Sequence, residues 1–318
     1  VEDHFDDAFR GFDSSIGISP HAPDYPTDYM KSVLPIPCHS HNDYWRQRPL
    51  YSALGSGCIS IEADVWSIGN DLFVAHTMDE VEEDRTLESL YIKPLIELLD
   101  HLNRHSRPEE QHKGVFYQNP LQTLVLVVDL KSSESWGLLQ KQIEPLREKG
   151  YLTFWDGMDR VERAITIVAS GTTPFDMLIA NETYRDVFYD APLHALVGCA
   201  EVDCSVDEDI VMDANRTRYN TSNSYYASSS LVHALGPLAR FALTQSQMKL
   251  MQRQVLQARS VGLVPRYYGT PRWPRGLRDE IWSVLLHEDV GVINVDDLRA
   301  VRKGIWGSWP QKPLQNLG

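Results

Sequence analysis

No run of about 18 consecutive apolar residues occurs in this sequence, so no segment is suited to crossing a bilayer as a helix. None of its four cysteines, Cys38, Cys58, Cys199 and Cys204, forms a Cys-x-x-Cys pair, which argues against a structural zinc site. Positive charge is scarce: 30 Lys and Arg stand against 44 Asp and Glu, a net charge of −14. An acidic chain is ill suited to wrapping nucleic acid or to general attraction to an anionic membrane, because both need a basic face. A lipid substrate remains compatible, since a bound metal reverses the field inside a local site. Internal repeats, low-complexity tracts and a visible signal peptide are also missing, although a mature secreted chain would have lost the last of these.

What is present is an ordinary globular balance, 42% hydrophobic and 23% charged over 318 residues, enough for one large core. Three Asn-x-Ser/Thr sequons, at Asn181, Asn215 and Asn220, hint at secretion. Residues 1–33 lack periodicity and read as an N-terminal extension; residues 34–318 read as one domain. Within that domain short apolar runs alternate with helical patterns, the signature of βα units on a parallel sheet. Strands are expected at 36–41, 58–66, 72–76, 124–131, 164–170, 187–191, 224–229, 263–268 and 289–295, and helices at 86–105, 134–149, 244–261 and 275–287. That is slightly more strands than an eight-stranded (β/α)8 TIM-type barrel needs, so one or two are hairpins or loops. The stretch 198–224 reads as a long polar loop, in which Cys199 and Cys204 could close a short ring.

The strongest feature is a repeated spacing. His39-x-His41, Glu62-x-Asp64 and Asp129-x-Lys131 each end an apolar run, and His76 ends another. Residues i and i+2 of a strand share a face, so each dyad projects two polar side chains one way. In a parallel barrel the strand C-termini meet at one rim, where sites are built. A single dyad is as easily a solvated strand end, but three with a strand-terminal His are hard to explain that way. Buried Glu62, Asp64 and Asp129 call for a cation, and oxygen donors suit Ca²⁺ or Mg²⁺ rather than zinc. The same parity turns Cys38 away from the face of His41 and puts Cys58 on the face of Glu62. Two buried free thiols follow unless a bulge intervenes.

Ser40-His41-Asn42-Asp43-Tyr44 resembles the Ser-His-Asn-x-Tyr motif of phosphatidylinositol-specific phospholipases C. Gly57–Trp66 resembles their Glu-x-Asp strand, and Phe73-Val-Ala-His76 the strand of their second catalytic His. Asp289–Asp297 resembles the last strand of glycerophosphodiester phosphodiesterases, and Asp129-Leu-Lys131 the Asp-x-Lys of the sphingomyelinase D branch. His39–Trp66 is similar to phospholipase C-like proteins named after a fungal mitochondrial-inheritance phenotype. The resemblance spans roughly residues 35–300, specific at 39–76 and 289–297 and weak through 170–260. The His-Arg-Gly and Pro-Glu-Asn-Thr segments of the glycerophosphodiesterases are absent, which favours the phospholipase-like branch. There is no room for the accessory lipid-binding domains of eukaryotic signalling phospholipases.

The resemblance implies a single-domain barrel phosphodiesterase acting on glycerophospholipids, with Ca²⁺ favoured over Mg²⁺; the sequons add the expectation of secretion, and a monomer is expected. His41 would be the general base or position the attacking hydroxyl, and His76 the general acid. His39 could orient His41 or act itself in a shifted register. Glu62, Asp64 and Asp129 would hold the metal, with Asn42 adding a neutral oxygen, and Lys131 would neutralise phosphate charge. Among many loop aromatics, Trp66 and Tyr267 best fit a headgroup wall or lipid-facing rim. Arg266 and Arg272 could meet phosphate but suit a surface salt bridge better. The competing reading is a glycerophosphodiesterase or phospholipase D-like enzyme that cuts the other ester bond. A silent binding module would have lost a catalytic His or a ligand, and none is missing; a nuclease suits the acidic balance poorly.

Overall fold

The computed structural model describes residues 30–107, 110–196, 218–238 and 242–303. The extension up to residue 29, Cys199, Cys204, the Asn215 sequon and most of the expected 198–224 loop lie outside them. The strands in chain order are β1 (Ile36–Ser40), β2 (Cys58–Ile68), β3 (Asp71–Val74), β4 (Leu124–Leu130), β5 (Phe154–Trp155), β6 (Arg160–Val161), β7 (Ile165–Gly171), β8 (Val187–Pro192), β9 (Ser224–Ser230), β10 (Val264–Tyr268) and β11 (Val292–Val295). The fold is α/β of the (β/α)8 TIM-barrel class. By contacts the described residues divide into two compact units, one of those within 30–154, 161–174 and 295–303 and the other of those within 155–160 and 175–294.

In the first unit β1, β2, β4 and β7 run parallel in that order, and β3 folds back antiparallel on β2. β4 reads Leu-Val-Leu-Val-Val, and all five side chains are buried, as expected of a parallel strand covered on both faces. Helix Lys93–Asn103 carries Pro94 in its first turn, where no amide partner is needed, and buries Leu95, Leu98 and Leu99.

In the second unit β8, β9, β10 and β11 are parallel neighbours. Helix Gln245–Ser260 opens with a reciprocal cap, Gln247 N to Thr244 Oγ1 at 3.2 Å and Thr244 N to Gln247 Oε1 at 2.9 Å. With helix Arg275–His287 it encloses Met251, Val255, Ile281, Leu285 and Tyr267 in one apolar cluster. Tyr267, expected at the substrate, is therefore a core residue: it is fully buried and its hydroxyl donates to Gln254 Oε1 at 2.7 Å. Period 2 puts its neighbour Arg266 on the opposite face. Arg266 does form a salt bridge, to Asp190 at 3.1 Å, but a buried one, and it also donates to Ser228 and Asn294.

The expectation of free thiols at Cys38 and Cys58 is corrected, because the two form a disulfide. The cause is a register shift in β1. Ile36 pairs with Cys58 and His39 with Ser60, so three steps along β1 match two along β2. The extra residue is a bulge, which reverses side-chain parity at that point. It turns Cys38 onto Cys58, with Cα atoms 4.7 Å apart.

Candidate active site

The site is assembled in the first unit, at the C-terminal ends of its parallel strands. Asp64 and Asp129 are direct partners across β2 and β4, and Asp129 is the partner of Ser170 across β4 and β7. Identical strand direction and matched register thus set Asp64, Asp129 and Ser170 in one row. Glu62, two residues before Asp64, shares its face. The hairpin supplies His76: β2 overruns to Ile68, β3 returns with Val74 opposite Val65, and Ala75 N bonds Asp64 O at 3.2 Å. His76 is thereby laid against Asp64 from the next position.

Two carboxylates act as hubs. Glu62 Oε2 accepts from the Asn42 backbone amide at 3.1 Å and lies 3.6 Å from His39 Nε2 and 3.8 Å from His41 Nε2. Asp64 Oδ2 meets Lys131 Nζ at 2.8 Å, the Tyr44 hydroxyl at 3.0 Å and His76 Nδ1 at 3.1 Å. Lys131 also binds Asp129 Oδ2, while Asp129 Oδ1 accepts from the Ser170 hydroxyl at 2.8 Å. His39 is wholly buried, with Nδ1 2.7 Å from Ser60 Oγ. That placement fits orientation of the site more than contact with a ligand. His41 leaves β1 with its backbone amide bonded to Val295 O, and its Nδ1 lies 2.7 Å from Asp296 Oδ1.

The electrostatics follow from this crowding. Burial, and then the charge of Glu62, pushes the Asp64 carboxyl above its ordinary value, with Lys131 opposing them. Burial works to lower the Lys131 ammonium, but its bonds and charges with Asp129 and Asp64 outweigh that and hold it above its usual value. The Tyr44 phenol is pushed far up by burial and by Asp64. Beneath the loop that carries His41 and Asn42, fully buried Asp43 accepts from Ser40 Oγ, Leu50 N and Tyr91 OH. Asn42 there adopts φ 45°, ψ 50°, a left-handed geometry that Asn tolerates.

Asn42, Glu62, Asp64 and Asp129 offer only oxygen donors, the chemistry of a hard divalent cation. Among the described residues no three His, Cys, Asp or Glu side chains stand together as a finished ligand set, and the Lys131 ammonium bridges Asp64 and Asp129. The donor set fits such an ion in kind, and one ammonium shared by Asp64 and Asp129, with the Glu62 carboxylate nearby, leaves negative charge to be balanced.

Sequence reasoning named eight of the residues that the structure brings together here: His39, His41, Asn42, Glu62, Asp64, His76, Asp129 and Lys131. Trp66 is adjacent through its indole, which donates to Ala75 O at 3.1 Å, beside His76. It missed Asp296, Tyr44, Ser60 and Ser170. Asp296 had a legible signal, since it follows the last strand at the position where the other strands carry their polar dyads.

Gly171 closes the row. Its φ is +67°, and a Cβ there would meet Leu130 O at 2.4 Å and Asp129 Oδ1 at 2.6 Å. Gly171→Ala should therefore lower stability by about 2 kcal/mol in urea denaturation, from left-handed strain and displacement of Asp129. An unchanged midpoint would show that Asp129 has room to move.

Residues 27–190 match the AIM6-like phosphodiesterase domain. The Altered inheritance of mitochondria protein 6 homolog of Arthroderma benhamiae is 35% identical, over 87% of this chain and 86% of its own length. Altered inheritance of mitochondria protein 6 of Lachancea thermotolerans is 34% identical over 83% of this chain, which spans 64% of that protein. Among solved structures, phosphatidylinositol-specific phospholipase C from Listeria monocytogenes covers 87% of this chain and 89% of its own at 13% identity, with a TM-score of 0.36, too slight a likeness to argue from. The fungal names correct the expectation of secretion: they attach these relatives to mitochondrial inheritance, not to an extracellular role. No helix among the described residues is long and apolar enough to cross a membrane. On the family match and the relatives together, this chain belongs to the AIM6-like phosphodiesterase domain family.

Proposed function

We propose that this chain is a metal-dependent phosphodiester hydrolase of the phospholipase C type, acting on glycerophospholipids and associated with mitochondria. The observation that carries the reading is a pair of histidines, each fixed through Nδ1 by a carboxylate, His41 by Asp296 and His76 by Asp64, on either side of Glu62 and Lys131. A histidine anchored at Nδ1 exchanges protons through Nε2. His41 takes the proton of the attacking hydroxyl as its oxygen bonds to phosphorus. His76 gives its Nε2 proton to the leaving oxygen as the other P–O bond breaks. Lys131 compensates charge on the phosphate oxygens. A divalent cation held by Glu62, Asp64 and Asp129, with Asn42 adding a neutral oxygen, would polarise a phosphate oxygen and acidify the attacking hydroxyl.

The test is mass spectrometry of products from a mixed phospholipid panel, run with Ca²⁺, with Mg²⁺ and with EDTA. The expected products are diacylglycerol and a phosphorylated headgroup, lost on chelation and restored by added ion. Free headgroup alcohol or a cyclic phosphatidate would move the cut to the other ester bond, the phospholipase D-like alternative. Turnover undiminished by thorough chelation would remove the metal from the proposal.

A further inference from the structure

Tyr44 is one residue of the loop that carries His41 and Asn42, and it is buried. Its hydroxyl lies at the meeting point of three site residues: Asp64 Oδ2 at 3.0 Å, Asn42 Oδ1 at 3.1 Å and His76 Nδ1 at 3.5 Å. These belong to three separate pieces of backbone, the loop after β1, the end of β2, and the segment after β3. The β2–β3 hairpin lays His76 against Asp64, and Tyr44 reaches both from the separate loop after β1. Tyr44 is itself anchored: its backbone carbonyl accepts from Arg85, and its ring packs edge-on against Trp45, which in turn packs on His76 at 5.4 Å between centroids.

A phenol carries one proton and accepts on the same oxygen. Asp64 Oδ2, when ionised, only accepts. A proton given by Tyr44 to Asp64 therefore helps fix the rotamer of that carboxylate, and Oδ2 is the oxygen on which His76 Nδ1 rests. A His whose Nδ1–H is held by a carboxylate is confined to the tautomer that leaves Nε2 for chemistry. His76 needs that help, because its ring is half exposed and sits on a segment beyond the hairpin.

We propose that Tyr44 is the positioning residue for His76, acting through Asp64 to hold the Nδ1–H tautomer and aim Nε2 at the leaving oxygen. This rests on the phosphodiesterase reading for its purpose, though not for its geometry. When the P–O bond breaks, the proton passes from Nε2 to the leaving oxygen, and His76 is left neutral with Nδ1–H still on Asp64. Tyr44 exchanges no proton in that step; it keeps the acceptor in place.

The test is ¹⁵N NMR of histidine-labelled protein as wild type, Tyr44→Phe, Asp64→Asn and the double variant, at a pH where His76 is neutral. Wild-type His76 should give the separated nitrogen shifts of a single Nδ1–H tautomer. Tyr44→Phe keeps the packed ring and should give averaged shifts of two tautomers. Asp64→Asn, which keeps the Tyr44 ring and hydroxyl, should do the same, and adding Tyr44→Phe to it should change nothing further. In turnover assays Tyr44→Phe should lower kcat about tenfold with KM within about twofold, the split expected of a residue that acts in the transition state. An unaltered His76 spectrum in Tyr44→Phe, or an added change in the Asp64→Asn background, overturns the proposal. If no phosphodiester is cleaved, the functional reading falls, while the NMR cycle still decides the positioning role.

Discussion

Replacing His41 or His76 by Ala should each cut phosphodiester turnover on the order of a thousandfold, within the range for loss of a positioned proton donor or acceptor. The two losses have different origins. Without His41 the attacking hydroxyl keeps its proton and remains a poor nucleophile. Without His76 the leaving oxygen departs unprotonated. Because both act in one displacement, the double variant should fall little below either single one. Neither substitution should unfold the protein, since both rings are partly exposed at the strand ends rather than in the core. The measurement is steady-state turnover on the phospholipid that the product screen identifies, with melting temperatures taken alongside. Near-wild-type turnover in a folded variant would remove that residue from the mechanism. His39→Ala is the informative contrast. His39 is buried beneath Glu62 and bonded to Ser60, so its loss should be read mainly in stability.

The elements of this fold were legible because parallel-sheet chemistry writes itself plainly. Runs such as Leu124–Val128 and Ile167–Ala169 are apolar without alternation, which is what burial on both faces produces. Helix Gln245–Ser260 announces its start through Thr244 and Gln247. The dyads could be read by the same logic, since an i, i+2 pair at the end of such a run can only face one way. His76 lies beside Asp64 at the end of β3, which is the antiparallel arm of a hairpin, one of those that the surplus of expected strands allowed.

What resisted reading is nonlocal. Asp296 meets His41 across 255 residues, and Tyr44 reaches Asp64 and His76 from a third segment. No spacing rule joins such positions until the strands are placed side by side. Tyr267 illustrates a different failure. Its aromatic character suggested a substrate wall, yet in Val-Pro-Arg-Tyr-Tyr it faces opposite to Arg266, and the helices on that side enclose it. Parity separates Tyr267 from Arg266, and side-chain type does not.

Parity has its own blind spot, and Cys38–Cys58 lies in it. The bulge between Ile36 and His39 is invisible to a period-2 rule, yet it both creates the disulfide and sets the face that His39 and His41 share with Glu62. The double substitution Cys38→Ala with Cys58→Ala should therefore lower unfolding free energy by about 3 kcal/mol, from the freedom restored to the unfolded chain when a loop of 20-residue separation is opened. The denaturant slope should rise as well, because the unlinked chain exposes more surface when unfolded. At low denaturant the folded site should survive. His39 remains paired with Ser60 through backbone register and its ring, and His41 is still tied to Val295 and Asp296. Turnover should thus stay within about threefold of wild type while the urea midpoint falls, a stability loss separable from the chemistry. Two outcomes would break this account. Equal midpoints would mean that the bridge contributes nothing to the folded chain. A collapse of turnover in a well-folded variant would mean that the bulge depends on the disulfide, and that strand pairing alone does not aim His41.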